Sequence, residues 1–204
     1  MQHPLLTFVQ ALLAVTASLL LAACNPVFNW REVRPEGTAL SLLLPCKPDK
    51  AEKKVLLGER PQALRLLGCD AGDATFALAV VDVGDVSKVA AVLAQWQSGT
   101  LANMKAPPAK TLSAQSGSLA DKDAAEKGAT EKGATKVVPL KVPGAALLPP
   151  AVWVKASGQR ADGTAVSGQA AYFVQGSQVF QAVVYATEIQ PEVSETFFSG
   201  LKFE

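Results

Sequence analysis

Histidine is all but missing from this chain: the single one, His3, stands third among 204 residues. Chemistry that needs an imidazole, as a base beside a serine or cysteine nucleophile or as a zinc ligand, has no candidate after that position. Cysteine is scarce too, since Cys24, Cys46 and Cys69 are the only three, and none forms a Cys-x-x-Cys pair. No glycine-rich loop separates a strand pattern from a helix pattern; Gly158, Gly163 and Gly168 recur within a hairpin instead. An excess of either charge is lacking, with 19 basic against 18 acidic residues, so there is no electrostatic footprint for nucleic acid. A two-carboxylate hydrolase needs only Asp and Glu about 5–9.5 Å apart. Yet Asp82 and Asp85 flank a helix start, and Glu192 and Glu195 lie in the first turn of another helix, where the macrodipole accounts for acids without chemistry. A Ser–Lys nucleophile pair is without support as well. The expectation is a noncatalytic protein with no cofactor and no metal.

What is present begins at the N-terminus. Leu5 to Leu21 is an uncharged apolar run that flows into Leu21-Ala22-Ala23-Cys24. Its length and small-residue ending predict a cleavable signal helix over residues 1–23 rather than a membrane-spanning segment. Leu-Ala-Ala-Cys resembles the lipobox of bacterial lipoproteins, although Met1-Gln2-His3-Pro4 offers no Lys or Arg. The resemblance implies that the thiol of Cys24 is acylated and that Cys24 opens the mature chain. Asn25, in place of Asp, implies sorting to the outer membrane, with the domain on the periplasmic face and membrane lipid as its first partner. Residues 24–29 then form a lipidated tether. From Cys24 to Ala39 the chain reaches about 50 Å at full extension, and less if Phe28 and Trp30 dock. In an oxidising compartment Cys46 and Cys69 are expected to pair as a structural disulfide.

The rest reads as one domain over residues 30–204. Ala39–Leu44 is a buried strand stopped by Pro45. Lys47–Lys54, with Asp49 and Glu52 between its lysines, is a solvated loop or edge strand. Gln62–Cys69 and Ala74–Val83 flank Asp70-Ala-Gly-Asp73 as a hairpin with Gly72 in the turn. Asp85 caps a helix whose stripe is Val86, Val89, Ala90, Leu93 and Trp96, and which stops near Gly99. Residues 105–143 turn to Ala, Lys, Pro, Ser and Gly and hold the tandem repeat Glu126-Lys-Gly-Ala-Thr130, Glu131-Lys-Gly-Ala-Thr135. Little there can be buried, so a low-complexity surface insertion is expected, with contact to the cell wall or to lipid as a lesser alternative.

Further on, Val152–Ser157 and Ala165–Gln175 flank Asp162-Gly163, read as a type I′ hairpin turn. Gly176-Ser177 turns into Gln178–Ala186 and sets Phe173 opposite Phe180. Because Phe173 and Val174 are both apolar, as are Val183 and Val184, these strands should be covered on both faces. Pro191 starts a last helix with Val193 and Phe197 inward and Gly200 at its stop, and Leu201-Lys-Phe203 closes the chain as a strand.

These elements predict an α+β fold, one mainly antiparallel sheet with helices on both faces. The order, and the ending Phe197-Phe-Ser-Gly-Leu-Lys-Phe203, resemble the PsbP-like and DcrB-like α/β/α sandwiches, a likeness that implies an accessory role and carries over no site residue. Function therefore divides between a noncatalytic outer-membrane lipoprotein serving an envelope protein complex and a lipid- or small-ligand-binding module. The second would use a crevice between sheet and helix lined by Trp96, Trp153 or Tyr172.

Overall fold

In the computed structural model, residues 27–108 and 135–204 are described. The expected signal helix, Cys24 and the Glu126–Thr135 repeat, all but its last residue, lie outside them. The fold is α+β, with mostly antiparallel strands and two helices. Three short strands, β1 (Arg31–Val33), β2 (Leu40–Leu44) and β10 (Lys202–Phe203), form one sheet in the order β1-β2-β10. The other seven are β3 (Asp49–Leu57), β4 (Arg60–Ala71), β5 (Ala74–Asp82), β6 (Lys136–Pro139), β7 (Val152–Gln159), β8 (Ala165–Gln175) and β9 (Gln178–Ala186). They run in the order β3-β4-β5-β9-β8-β7-β6. The helices are α1 (Val89–Asn103) and α2 (Pro191–Ser199).

The expectation of a single sheet is corrected by β2. Leu40, Leu42 and Leu44 are buried, and the strand lies over the large sheet instead of joining it, because a strand apolar on successive positions gains more from packing by its face than by its edge. Strand alternation gives the large sheet two separate cores. Phe76, Leu78, Val80, Phe173, Phe180 and Val184 face β2 and α2, whereas Ala79, Val81, Tyr172, Val174, Val179 and Val183 face α1. The strands from Ala165 to Ala186 are covered on both sides, as the paired apolar positions required. Phe173 and Phe180 are register partners with stacked rings 5.2 Å apart.

Two turns follow the sequence and one does not. Ala71 pairs with Ala74 around Gly72, whose φ is +63°, and Gln175 pairs with Gln178 around Gly176 and Ser177. The β7–β8 turn is a correction. Gln159 pairs with Ala165, the Arg160 N–H donates to the Thr164 carbonyl, and the Gly163 N–H donates to the Arg160 carbonyl. That is a longer loop with only Gly163 left-handed, at φ +86°. Asp162 keeps a negative φ and its carboxylate accepts from the Thr164 N–H and hydroxyl, an Asx turn that type I′ geometry would forgo.

The first helix is corrected at both ends. The Asp85 carboxylate accepts from the Ser87 N–H, but in a 3₁₀ turn, Val86–Lys88, that leaves Val86 exposed. The buried stripe is Val89, Val92, Leu93, Trp96 and Leu101, with Ala90 outside it. The helix passes Gly99, where an added Cβ would meet nothing within 4 Å. A solvent-facing glycine costs a helix about 1 kcal/mol, less than burying Leu101 returns. At the far end α2 stops at Gly200, which has an ordinary φ of −74°. Its smallness matters for another reason: a Cβ there would lie 2.9 Å from Leu43.

Part of the segment 105–143, expected as an insertion, belongs to the ordered fold. Lys136–Pro139 is the edge strand β6 on β7, and Val142 is buried in the core beneath β2. Residues 47–54 fall largely in β3, an exposed edge strand whose lysines discourage further strand pairing.

Candidate functional site

Cys46 and Cys69 are bonded, with their Cα atoms 6.0 Å apart. Cys46 follows β2 and Cys69 lies in β4, so the bridge ties the small sheet to the large one. On the same face, Phe76 is fully buried and collects three rings: Phe28 at 6.2 Å, Trp30 at 6.0 Å and Phe197 at 5.3 Å. The chain is therefore fixed to the domain from Phe28 onward, and the Asn29 N–H donates to the Pro45 carbonyl to hold it there. The span between Cys24 and this dock is only four residues, about 14 Å at most.

The three aromatic residues expected around a crevice do not all lie on one side of the sheet. Trp153 pairs with Ala171 and Val152 with Tyr172, so alternation puts Trp153 and Tyr172 on opposite faces of the sheet. Trp96 and Tyr172 share the α1 core. There the Gln181 side-chain amide donates to the Tyr172 hydroxyl at 2.8 Å and to the Thr100 hydroxyl at 2.9 Å, and the Thr100 hydroxyl donates to the Trp96 carbonyl. This network leaves room for about 10 Å³ beside Tyr172, less than a ligand needs. Burial pushes the Tyr172 phenol up from its ordinary pKa, and burial does the same to Tyr185, with the neighbouring Tyr172 adding to it. Trp153 packs on Phe198 of α2 with ring centroids 4.7 Å apart. These aromatics are core.

A different groove, of about 310 Å³, opens between the Pro35–Thr38 loop and strands β3 and β4. Its floor is Leu67 and Val80. Its rim carries Lys50, Glu36, Glu52 and Arg65. Lys50 pairs with Glu36 at 2.6 Å and holds that carboxyl below its usual range. Arg65 donates to the Glu36 carbonyl and so pins the loop, where Gly37 has φ +69° and a Cβ would lie 2.8 Å from the guanidinium. No sequence signal marked this groove, because it arises from a loop laid across two strands.

A Ser-x-x-Lys spacing, of the kind a Ser–Lys nucleophile pair would use, occurs at Ser199-Gly-Leu-Lys202. Its residues do not form a nucleophile and base. The Ser199 hydroxyl donates to the Thr196 carbonyl, while Lys202 pairs with Glu204 at 3.0 Å, which raises its pKa and keeps it charged. Among the described residues no three His, Cys, Asp or Glu side chains are placed to hold a metal ion, and no helix is long and apolar enough to cross a membrane.

No family model and no curated protein matches this chain. Among solved structures, a protein of unknown function from Pseudomonas aeruginosa aligns over 80% of this chain and 85% of its own at 14% identity, with a TM-score of 0.34. That likeness is too slight to carry fold or function across.

Proposed function

We propose that this chain is a noncatalytic lipoprotein of the bacterial outer membrane. On this reading acylated Cys24 holds an α/β/α-type domain, of the kind seen in PsbP-like and DcrB-like proteins, on the periplasmic face as an accessory or assembly factor of an envelope complex. The observation that supports it best is the shortness of the tether. With Phe28 and Trp30 seated on Phe76, four residues of reach keep the domain against the leaflet. A long-range scavenger would gain from a longer arm, whereas a factor that meets membrane-embedded partners needs none.

The test is substitution of the acylated residue. Cys24→Ser should leave an unprocessed precursor with no acyl label in cells fed a radiolabelled fatty acid. Mature-size protein accumulating without label would refute the anchor.

The groove over Leu67 and Val80 favours a second reading, a small-ligand module, since about 310 Å³ is at the low end of what such sites enclose. The two readings part when about forty Gly/Ser residues are inserted after Asn25, adding an r.m.s. span near 35 Å. A membrane-proximal factor loses its in-cell crosslinks to its partner, while a ligand module keeps its activity.

A further inference from the structure

One register row crosses most of the large sheet. Lys136 pairs with Lys155, Lys155 with Gln169, Gln169 with Val184, Val184 with Phe76 and Phe76 with Cys69. The row thus runs from the ring on which the tether docks to two lysines on neighbouring strands. At about 4.8 Å per strand, Lys155 lies roughly 14 Å and Lys136 roughly 19 Å across the sheet from Phe76, level with it along the strands.

The lysines are unusual neighbours. Like charges directly opposite on adjacent strands repel, and among the described residues no carboxylate comes within 4 Å of either ammonium. Glu192 and Glu195 on α2 are exposed and pair with neither. Lys155 is held in place with its ammonium 3.7 Å over the Trp153 ring. Lys136 and Lys155 line an open depression of about 180 Å³ together with Ser157, Ser167 and Gln169. Gln169, one of the lining residues, has its Oε1 atom buried without a hydrogen-bond donor.

From this we infer that the Lys136–Lys155 depression seats the phosphodiester headgroup of an anionic phospholipid in the leaflet that anchors the chain. Two ammoniums suit a phosphate, and the orphaned Gln169 oxygen needs a donor such as the hydroxyl of a glycerol headgroup. The inference rests on the lipid-anchor reading, which puts the docked tether, and with it this row, beside the bilayer. The seat would fix the domain's orientation: the β4–β5 turn and the β6–β7 edge toward the headgroups, the groove over Leu67 and Val80 toward the periplasm.

The test reads lysine acetylation by mass spectrometry on the acylated chain in vesicles of phosphatidylcholine alone or with 30% phosphatidylglycerol. Lys54, near the far end of β3, and Lys88, at the start of α1, serve as internal references. Lys136 and Lys155 should be labelled several-fold more slowly in the phosphatidylglycerol vesicles, with the references unchanged, and Gln169→Leu should reduce that protection. Equal labelling in both vesicles overturns the seat, provided the chain floats with them; failure to float overturns the anchor instead. Protection by millimolar glycerol phosphate without vesicles also overturns the bilayer assignment, since the depression would then recognise a free phosphate.

Discussion

Replacing Phe76 by alanine should do more damage than any other single truncation on the small-sheet face. The ring is wholly buried, and it joins three parts of the fold: the N-terminal segment through Phe28 and Trp30, the centre of the large sheet, and α2 through Phe197. A buried phenylalanine truncated to alanine costs about 3–5 kcal/mol. Each well-placed aromatic neighbour is worth about 0.5–1.5 kcal/mol beyond its burial, which puts this site at the upper end of that range. The walls here are rings from two separate segments, the N-terminal stretch and α2, so the cavity cannot close by a small local shift. Domains of this size lose roughly 2–4 °C of Tm per kcal/mol, and a fall of about 10–18 °C is expected. Urea unfolding followed by circular dichroism, with the disulfide intact, gives the free energy directly. Phe76→Leu should recover about half the loss. The reasoning fails if Phe76→Ala costs under about 2 kcal/mol, or if Phe28→Ala costs as much, because Phe28 is only half-buried.

Removing the bridge with Cys46→Ser and Cys69→Ser frees a loop with a sequence separation of 23 and should lower stability by roughly 3.4 kcal/mol, read from the same urea transition; a change under 1 kcal/mol would contradict it. The chain has two tyrosines, and both phenols are raised by burial. Absorbance at 295 nm should therefore show less phenolate between pH 10 and 11 than two free tyrosines give, while the fold holds. Because these folded-state pKa values are raised, their contribution to stability is complete below the unfolded value of about 10 and is lost as pH rises above it. As much phenolate at pH 10 in folded protein as two free tyrosines show would refute that burial. Deleting Ser113–Lys132, which removes none of the described strands, should leave Tm within about 3 °C, while extending the deletion through Pro139 removes β6 and should cost more. A large drop from the shorter deletion would mean that the segment packs.

Strands and their pairings were legible wherever one physical signal decided them. Alternation and a glycine turn fixed the Gln62–Val83 hairpin. The two-residue turn at Gly176-Ser177 fixed the Phe173–Phe180 register. The apolar doublets Phe173-Val174 and Val183-Val184 announced a sheet covered on both faces, and the compartment implied by the first 24 residues announced the Cys46–Cys69 bond. Errors arose where two local signals competed. Asp162-Gly163 matched a tight turn, but the Asp162 carboxylate bonds its own backbone and lengthens the loop. Gly99 resembled a stop, but Leu101 beyond it gains more from burial than the glycine costs.

The sequence by itself determined which residue types this chain is short of, the nature of its strands and the covalent link between its sheets, because each depends on residue type or near neighbours. Only the tertiary structure decided that β2 lies over the large sheet, that Trp153 and Tyr172 point away from each other, and that Lys136 shares a row with Phe76. Those facts follow from which strands become neighbours. Strand order is set by the summed burial of both cores, and no local stretch of sequence carries that sum.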